Sequence, residues 1–187
     1  PVGQAIPHHR HRGGGRRAKD HASMIRQPAR LRLGLLLAAA VLVLDQLSKW
    51  WVLEVVELER LGQIRVMPFM NLTMVWNRGV TFGLLGSDLW WKPLLLGGVA
   101  ILIALALLRW LARAESARVA WGLGLVLGGA VGNVIDRARF GAVVDFVHLH
   151  AAGYSWYVFN IADAAIVCGV GLLLLDALIR PQATVKA

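Results

Sequence analysis

Cysteine is almost absent from this chain: Cys168 is the single one in 187 residues. An internal disulfide is therefore excluded. The thiol lies mid-segment among apolar neighbours, with no histidine near it in sequence, so it reads as a packed side chain and not a nucleophile. Charge is scarce as well. Asp, Glu, Lys and Arg make up 17% of the residues and hydrophobic types 57%, and the apolar residues come in long blocks instead of at the spacing of a soluble core. That pattern excludes an ordinary water-soluble domain and reads as a membrane protein. Acidic residues are rarer than basic ones, 11 against 20, which leaves a net charge of +9. The excess sits at the ends of the apolar blocks, where cytoplasmic retention of basic residues and attraction to anionic lipid account for it, so nucleic acid is not an expected partner.

What is present is four apolar blocks, at 31–53, 93–111, 119–140 and 158–179. Each approaches the roughly 20 residues that a helix needs to cross about 30 Å of hydrocarbon. The expected fold is an all-α membrane protein of four transmembrane helices, with both termini on one side. Arg10, Arg12, Arg16, Arg17, Lys19, Arg26, Arg30 and Arg32 precede or open the first block against Asp20 alone, and Arg109, Arg113 and Arg118 flank the connection between blocks two and three. Those regions, with the tail carrying Arg180 and Lys186, are expected to face the cytoplasm. The connections 54–92 and 139–158, balanced or poor in charge, are expected outside. Trp50, Trp51, Trp90, Trp91, Trp110, Trp121 and Trp156 fall near block ends, where an aromatic belt would place them.

Residues 1–30 read as a basic, disordered N-terminal arm, 31–180 as the membrane domain and 181–187 as a cytoplasmic tail. His8, His9 and His11 resemble a metal tract without a scaffold, so no metal and no cofactor is expected. Met24 is a candidate natural start. The first block is too long for a secretory signal and no small-residue cleavage site follows it, so it is expected to be retained. In the outer connection, about 54–90, "RVMPFMNLTMVWNRGVTFGLL" alternates apolar and polar positions around turn residues. This predicts a small extracytoplasmic β-sheet between helices one and two, whose edge could bind an extended peptide.

Counting depth at 1.5 Å per residue puts Asp45 about 18 Å from the inner end of the first span and Asp136 about 26 Å from that of the third. Asp163 lies about 8 Å into the fourth span from outside, and Asp145 lies in the outer connection itself, within "VVDFVHLH" (143–150). Four carboxylates from separate segments thus share the outer layer. Ionisable groups at such depth pair, line a cavity or do chemistry. Asp45 has Lys49 at i, i+4, and Asp136 has Arg137 beside it or a partner on another span, so Asp45, Lys49 and Asp136 read as structural polar residues. Asp145 and Asp163 have no basic residue at helical spacing and are expected to face one another. Two close carboxylates cannot both ionise easily, and the pair splits acid and base roles around a water, the chemistry of metal-free peptide hydrolysis. Asn133 with Arg137, and Asn160 with Asp163, lie at helical spacing and supply donors for a substrate carbonyl or for the dyad.

The segments "DQLSKWW" (45–51), "NRGVTFGLL" (77–85), "GGAVGNVIDRARFGAVVDF" (128–146) and "FNIADAA" (159–165) occur in this order in the bacterial lipoprotein signal peptidases, or signal peptidase II, and the chain resembles that family over about residues 31–180. The resemblance implies a bacterial inner-membrane aspartic endopeptidase. It would act on diacylglyceryl-modified prolipoproteins, cleaving before the lipidated cysteine, with membrane lipid around it and as a monomer. By motif position it implies Asp145 and Asp163 as the catalytic dyad and gives Asn77, Asn133, Arg137 and Asn160 substrate-contacting or dyad-supporting roles. Thr81 and Gly83 depart from the family's frequent Ala and Ser. A transporter would need a continuous polar path, whereas Asp176 alone represents the inner half. A lipid-binding scaffold would leave Asp145 and Asp163 unexplained. Gly122, Gly124, Gly128, Gly129 and Gly132 either let the third span pack closely or leave room for a substrate helix.

Overall fold

The computed structural model describes residues 14–79 and 92–179. His8, His9 and His11, Thr81 and Gly83, Trp90 and Trp91, and the tail from Arg180 onward lie outside the described residues. In chain order the chain forms helix α1 (Gly14–Trp50), which passes into a π-helical turn (Trp51–Val55), and a one-turn helix α2 (Leu58–Leu61). Strands β1 (Gln63–Met67) and β2 (Met70–Asn77) follow, then helices α3 (Lys92–Leu111) and α4 (Ala117–Phe140). Strands β3 (Val143–Ala151) and β4 (Tyr154–Ser155) lead to helix α5 (Ile161–Ile179). Helix α1 begins at Gly14, inside the segment that composition reads as an arm.

Among the described residues, three helical stretches are long and apolar enough to cross a membrane: Gln27–Val55, Ala117–Phe140 and Ile161–Ile179. Within α3 the apolar stretch is shorter, Gly97–Leu111. Large apolar side chains such as Leu36, Leu44, Leu102, Val167, Leu174 and Leu178 point outward and are more than half exposed, the surface a lipid-facing helix presents. Cys168 is exposed on α5 as well, so the expectation of a packed thiol is corrected. An apolar run of helical length cannot tell a lipid-facing position from a core one, because both favour the same residues.

Helix α4 is the central element, touching α1, α3 and α5. Ser116 caps its start by accepting from the Val119 N–H at 3.1 Å, and Gly141, at φ +69°, ends it by donating to the Arg137 carbonyl at 3.0 Å. The glycines of α4 serve close packing. A Cβ on Gly124 would lie 2.6 Å from the Gly34 carbonyl oxygen of α1, and one on Gly132 would lie 2.5 Å from Asp45 Oδ2. Gly122 meets Gly169 of α5 in the same way. Of the two readings open from sequence, close helix contact is the one these distances support.

The sheet is antiparallel, in the order β1-β2-β3-β4. It is not contributed by one connection, as the sequence pattern suggested. β1 and β2 come from the connection between α1 and α3, and β3 and β4 from that between α4 and α5, with Val75 opposite Asp145 and Asn77 opposite Val143. The strand at 143–151 is easy to miss because its first four residues, Val143 to Phe146, are all buried and show no alternation. Val144 and Phe146 rest against Val52, Leu58, Ile64, Leu72 and Ile161 in a core between the sheet and the helix ends. One edge of β2, the expected seat of an extended peptide, is therefore taken by the chain's own β3.

Adding a methyl group at the α1–α4 contact should overpack it, because the obstacle is backbone and not a flexible side-chain tip. Gly124→Ala is expected to destabilise the protein by about 1–3 kcal/mol, whereas Gly97→Ala, which meets nothing within 4 Å, should not lower the melting temperature. Equal thermal stabilities in detergent would refute the close-packing role.

Candidate active site

The start of α5 places the first aspartate. Asn160 is an N-cap whose Oδ1 accepts from the Asp163 N–H at 2.9 Å, while Asp163 Oδ2 accepts from the Asn160 N–H at 3.4 Å. This reciprocal arrangement is a capping box with Asp163 at its third helical position. The carboxylate thereby sits in the first turn, at the positive end of the helix dipole. Its other oxygen accepts from Asn133 Nδ2 of α4 at 2.8 Å.

Strand β3 places the second. Asp145 is 1% exposed, and its two oxygens are divided between two amides, Oδ1 accepting from Asn160 Nδ2 at 2.7 Å and Oδ2 from Asn77 Nδ2 at 3.0 Å. The orientation of Asn77 is fixed by a local turn. Its Oδ1 accepts from the Gly79 N–H at 3.0 Å, and Gly79 has φ +72°, a conformation that glycine adopts without strain. Phe159, just before Asn160, is tied to β3 through hydrogen bonds with Phe146 and Val147 of 2.8–3.1 Å. One asparagine, Asn160, thus contacts both aspartates. Its Nδ2 has two hydrogens and three acceptors in reach, since the Val144 carbonyl and Asn133 Oδ1 each lie at 3.2 Å.

Burial pushes the Asp145 carboxyl up from its ordinary 3.8 to about 6, and the charge of Asp163 acts in the same direction. The amides of Asn77 and Asn160 and the ammonium of Lys49 oppose the rise without cancelling it. A cavity of about 490 Å³ opens beside this carboxyl, lined by Val75, Trp76, Asn77, Arg78, Tyr157 and Val158. A second cleft, of about 550 Å³, between Phe69, Leu149, Trp156 and Phe159, is nearly all apolar and contains no carboxylate. Chemistry favours the first.

The remaining residues singled out from sequence separate. Lys49 pairs with Asp45 at 2.8 Å, as the spacing suggested, but also with Asp136 at 2.7 Å. Asp136 therefore finds its cation on another span and not in its neighbour. Arg137 instead donates to the Asn133 carbonyl at 3.2 Å, so its hydrogen bond goes to neither aspartate of the site. Gln46 escaped sequence reading although it bridges Asp45 and Asp136 at 3.1 and 3.0 Å. Spacing within the helix carries no signal for it, because Gln46 is next to Asp45 in sequence and its other partner lies on another helix. At the opposite end Asp176 pairs with Arg118 at 2.9 Å. Among the described residues no three His, Cys, Asp or Glu side chains converge as metal ligands do.

Residues 37–179 match the family described as Signal peptidase (SPase) II. The chain belongs to the signal peptidase II family. It is 53% identical over 146 residues to the lipoprotein signal peptidase of Methylobacterium sp. (strain 4-46), a match covering 78% of this chain and 88% of the relative. With that of Nitrobacter hamburgensis (strain DSM 10229 / NCIMB 13809 / X14) it shares 45% over 163 residues, covering 82% and 96%. A solved structure described as a bacterial membrane enzyme superposes with a TM-score of 0.67 at 29% identity, covering 82% of this chain and 94% of that one. Membership makes this signal peptidase an aspartic protease of lipoprotein processing.

The raised Asp145 carboxyl has a consequence for stability. Between pH 4 and 6 the folded protein holds a proton there that the unfolded chain has released, so stability falls as pH rises through that window. The cost is absent below about pH 4 and reaches about 3 kcal/mol above about pH 6. The melting temperature of the wild type, relative to Asp145→Asn, which cannot titrate, should therefore drop between pH 4 and pH 7. A difference independent of pH would mean that this carboxyl titrates at its ordinary value.

Proposed function

We propose that this signal peptidase removes the signal peptide from prolipoproteins by using Asp145 and Asp163 as an acid–base pair around a single water, cleaving before the diacylglyceryl-modified cysteine. The observation that supports the reading is that Asn160 reaches both carboxylates, its Nδ2 donating to Asp145 Oδ1 and its backbone N–H to Asp163 Oδ2, so that β3 and the start of α5 meet at one residue. Asp163, at the positive end of α5, is the base. It takes a proton from the water, whose oxygen attacks the scissile carbonyl carbon. Asp145, whose burial favours its protonated form, gives its proton to the carbonyl oxygen. The resulting tetrahedral carbon collapses as the cysteine nitrogen takes a proton from Asp163, the C–N bond breaks, and the new carboxyl returns a proton to Asp145. Neither a metal nor a covalent intermediate is needed for the atoms to balance. Asn77 and Asn160 hold Asp145, and Asn133 holds Asp163. Every one of these groups comes from one chain, so a monomer suffices.

The lipid substrate fits the depth of the site. With the carboxylates at the outer ends of α4 and α5, the diacylglyceryl chains stay in lipid while the scissile bond reaches the dyad, and no free energy is lost in extracting them at about 0.8 kcal/mol per CH₂. The reading includes four spans in the bacterial inner membrane, both termini cytoplasmic and the sheet outside. The 20 residues of α3 rise about 30 Å, sufficient to cross. The arginine bias supports the orientation.

Asp145→Asn and Asp163→Asn keep size while removing proton exchange, so either should abolish cleavage of a lipid-modified precursor by purified enzyme. Because the pair acts as a unit, the double variant should be scarcely worse than either single one. Near-normal cleavage by Asp145→Asn would refute the mechanism. Topology is tested separately with single cysteines in a Cys168→Ser background. An impermeant thiol reagent applied to spheroplasts should label Arg60→Cys and spare Glu115→Cys, and the reverse pattern would overturn the orientation.

A further inference from the structure

The ion cluster beneath the dyad has more contacts than a tie between helices requires. Lys49 Nζ lies 2.8 Å from Asp45 Oδ2 and 2.7 Å from Asp136 Oδ2, and the Gln46 amide spans the same two carboxylates. Asp45, Lys49 and Asp136 are each no more than 3% exposed. One cation for two buried anions leaves an excess negative charge, which is costly without further donors. Those donors are backbone. Asp136 Oδ2 accepts from the Val144 N–H of β3 at 3.1 Å, and Asp45 Oδ1 accepts from the Ala162 N–H of α5 at 3.0 Å. Val144 and Ala162 are the residues immediately before Asp145 and Asp163.

We propose that Asp45, Gln46, Lys49 and Asp136 form a clamp that sets the separation of the two reacting carboxylates, each acid holding the backbone one residue ahead of one member of the pair; this rests on the Asp145–Asp163 reading. The arrangement explains why two acids serve one lysine. A helix tie would be complete with Lys49 and one carboxylate. The second acid is needed because β3 and α5 are separate elements, and each must be held against the same ammonium. From a pinned N–H to the next Cα is two bonded residues with a rigid peptide between them, so little slack separates the clamp from the dyad. Lys49 also acts on Asp145 through its charge, alongside Asp163, so a shift of the clamp alters the electrostatics of proton exchange as well as its geometry. Gly132 belongs to the device, because a Cβ there would strike Asp45 Oδ2 at 2.5 Å. These are positioning residues.

The test compares three variants of the full-length enzyme in detergent or lipid, normalised to folded protein, with a lipid-modified precursor as substrate. Gly132→Ala displaces the Asp45 carboxylate while leaving every charge in place, Gln46→Met removes the neutral bridge alone, and Asp136→Asn weakens the hold on β3. Gly132→Ala and Asp136→Asn are expected to lower kcat by roughly 10- to 100-fold, the scale of a misplacement of about 1 Å. KM should stay within about twofold, and the pH profile of kcat should shift. Gln46→Met should show the same pattern more weakly, and it keeps the test decisive should the other two fail to fold. Folded variants with wild-type kcat and a superimposable pH profile, changed only in melting temperature, would overturn the clamp. So would a rise in KM at constant kcat. Asp145→Asn is the parallel control: if it retains activity, the dyad reading itself is lost, whereas an inactive Asp145→Asn beside fully active Gly132→Ala and Gln46→Met removes the clamp alone.

Discussion

Lys49 is 3% exposed, and its ammonium can leave water only because Asp45 and Asp136 flank it from two different helices. Breaking such a buried pair from one side costs about 3–5 kcal/mol, since the remaining charge is stranded. The pair therefore fixes the C-terminal ends of α1 and α4 in register, and the groups at that end are arranged around it. Strand β3 leaves α4 through Gly141 and is caught at Val144, and α5 begins where Ala162 meets Asp45. The carboxylates proposed for catalysis are the next residue along in each case.

This constraint could not operate between loosely packed helices. From Gly122 to Gly132, α4 meets α1 and α5 through glycines, so backbone approaches backbone and the polar groups toward the C-terminal end of α4 come within hydrogen-bonding distance. Between membrane helices, close approach of this kind substitutes for the hydrophobic effect, which lipid removes. The small residues and the buried charges are thus parts of one solution. Without the glycines, Asp45, Gln46 and Lys49 would stand off from Asp136, and each would be a buried polar group without a full set of partners.

Much of this was legible in the sequence, and the limits have physical causes. Long apolar blocks announce spanning helices because the bilayer sets their length, and the sharing of one layer by Asp45, Asp136, Asp145 and Asp163 follows from the fixed rise of a helix. The pairing of Asp45 with Lys49 follows from i, i+4 spacing. The partner of Asp136 did not, because spacing within one helix says nothing about the rotation of another helix facing it. Strand β3 was hidden because burial on both faces erases the period-two alternation that marks a half-exposed strand. Consequently the sheet, read as belonging to one connection, is built from two. Gln46 was overlooked for a different reason. A neutral side chain is unremarkable at membrane depth until the two carboxylates it joins are known to be adjacent.

The two-connection sheet also bears on how the site is closed to water. Asp145 is nearly inaccessible although it lies in a segment between helices, because β2 covers one side of β3 while Val144 and Phe146 seal the core below. A carboxyl in such surroundings is held toward its protonated form by desolvation, and the amides of Asn77 and Asn160 keep that effect moderate, to about 6. Stronger burial without the amides would lock the proton in place, and an exposed loop would release it at the ordinary 3.8. Near neutrality an acid must be able both to hold and to give up its proton, and the strand environment of Asp145 lies between those extremes. The sheet is in this sense the counterpart of the ion clamp. The clamp governs where the two carboxylates stand, and the sheet governs how readily one of them exchanges a proton.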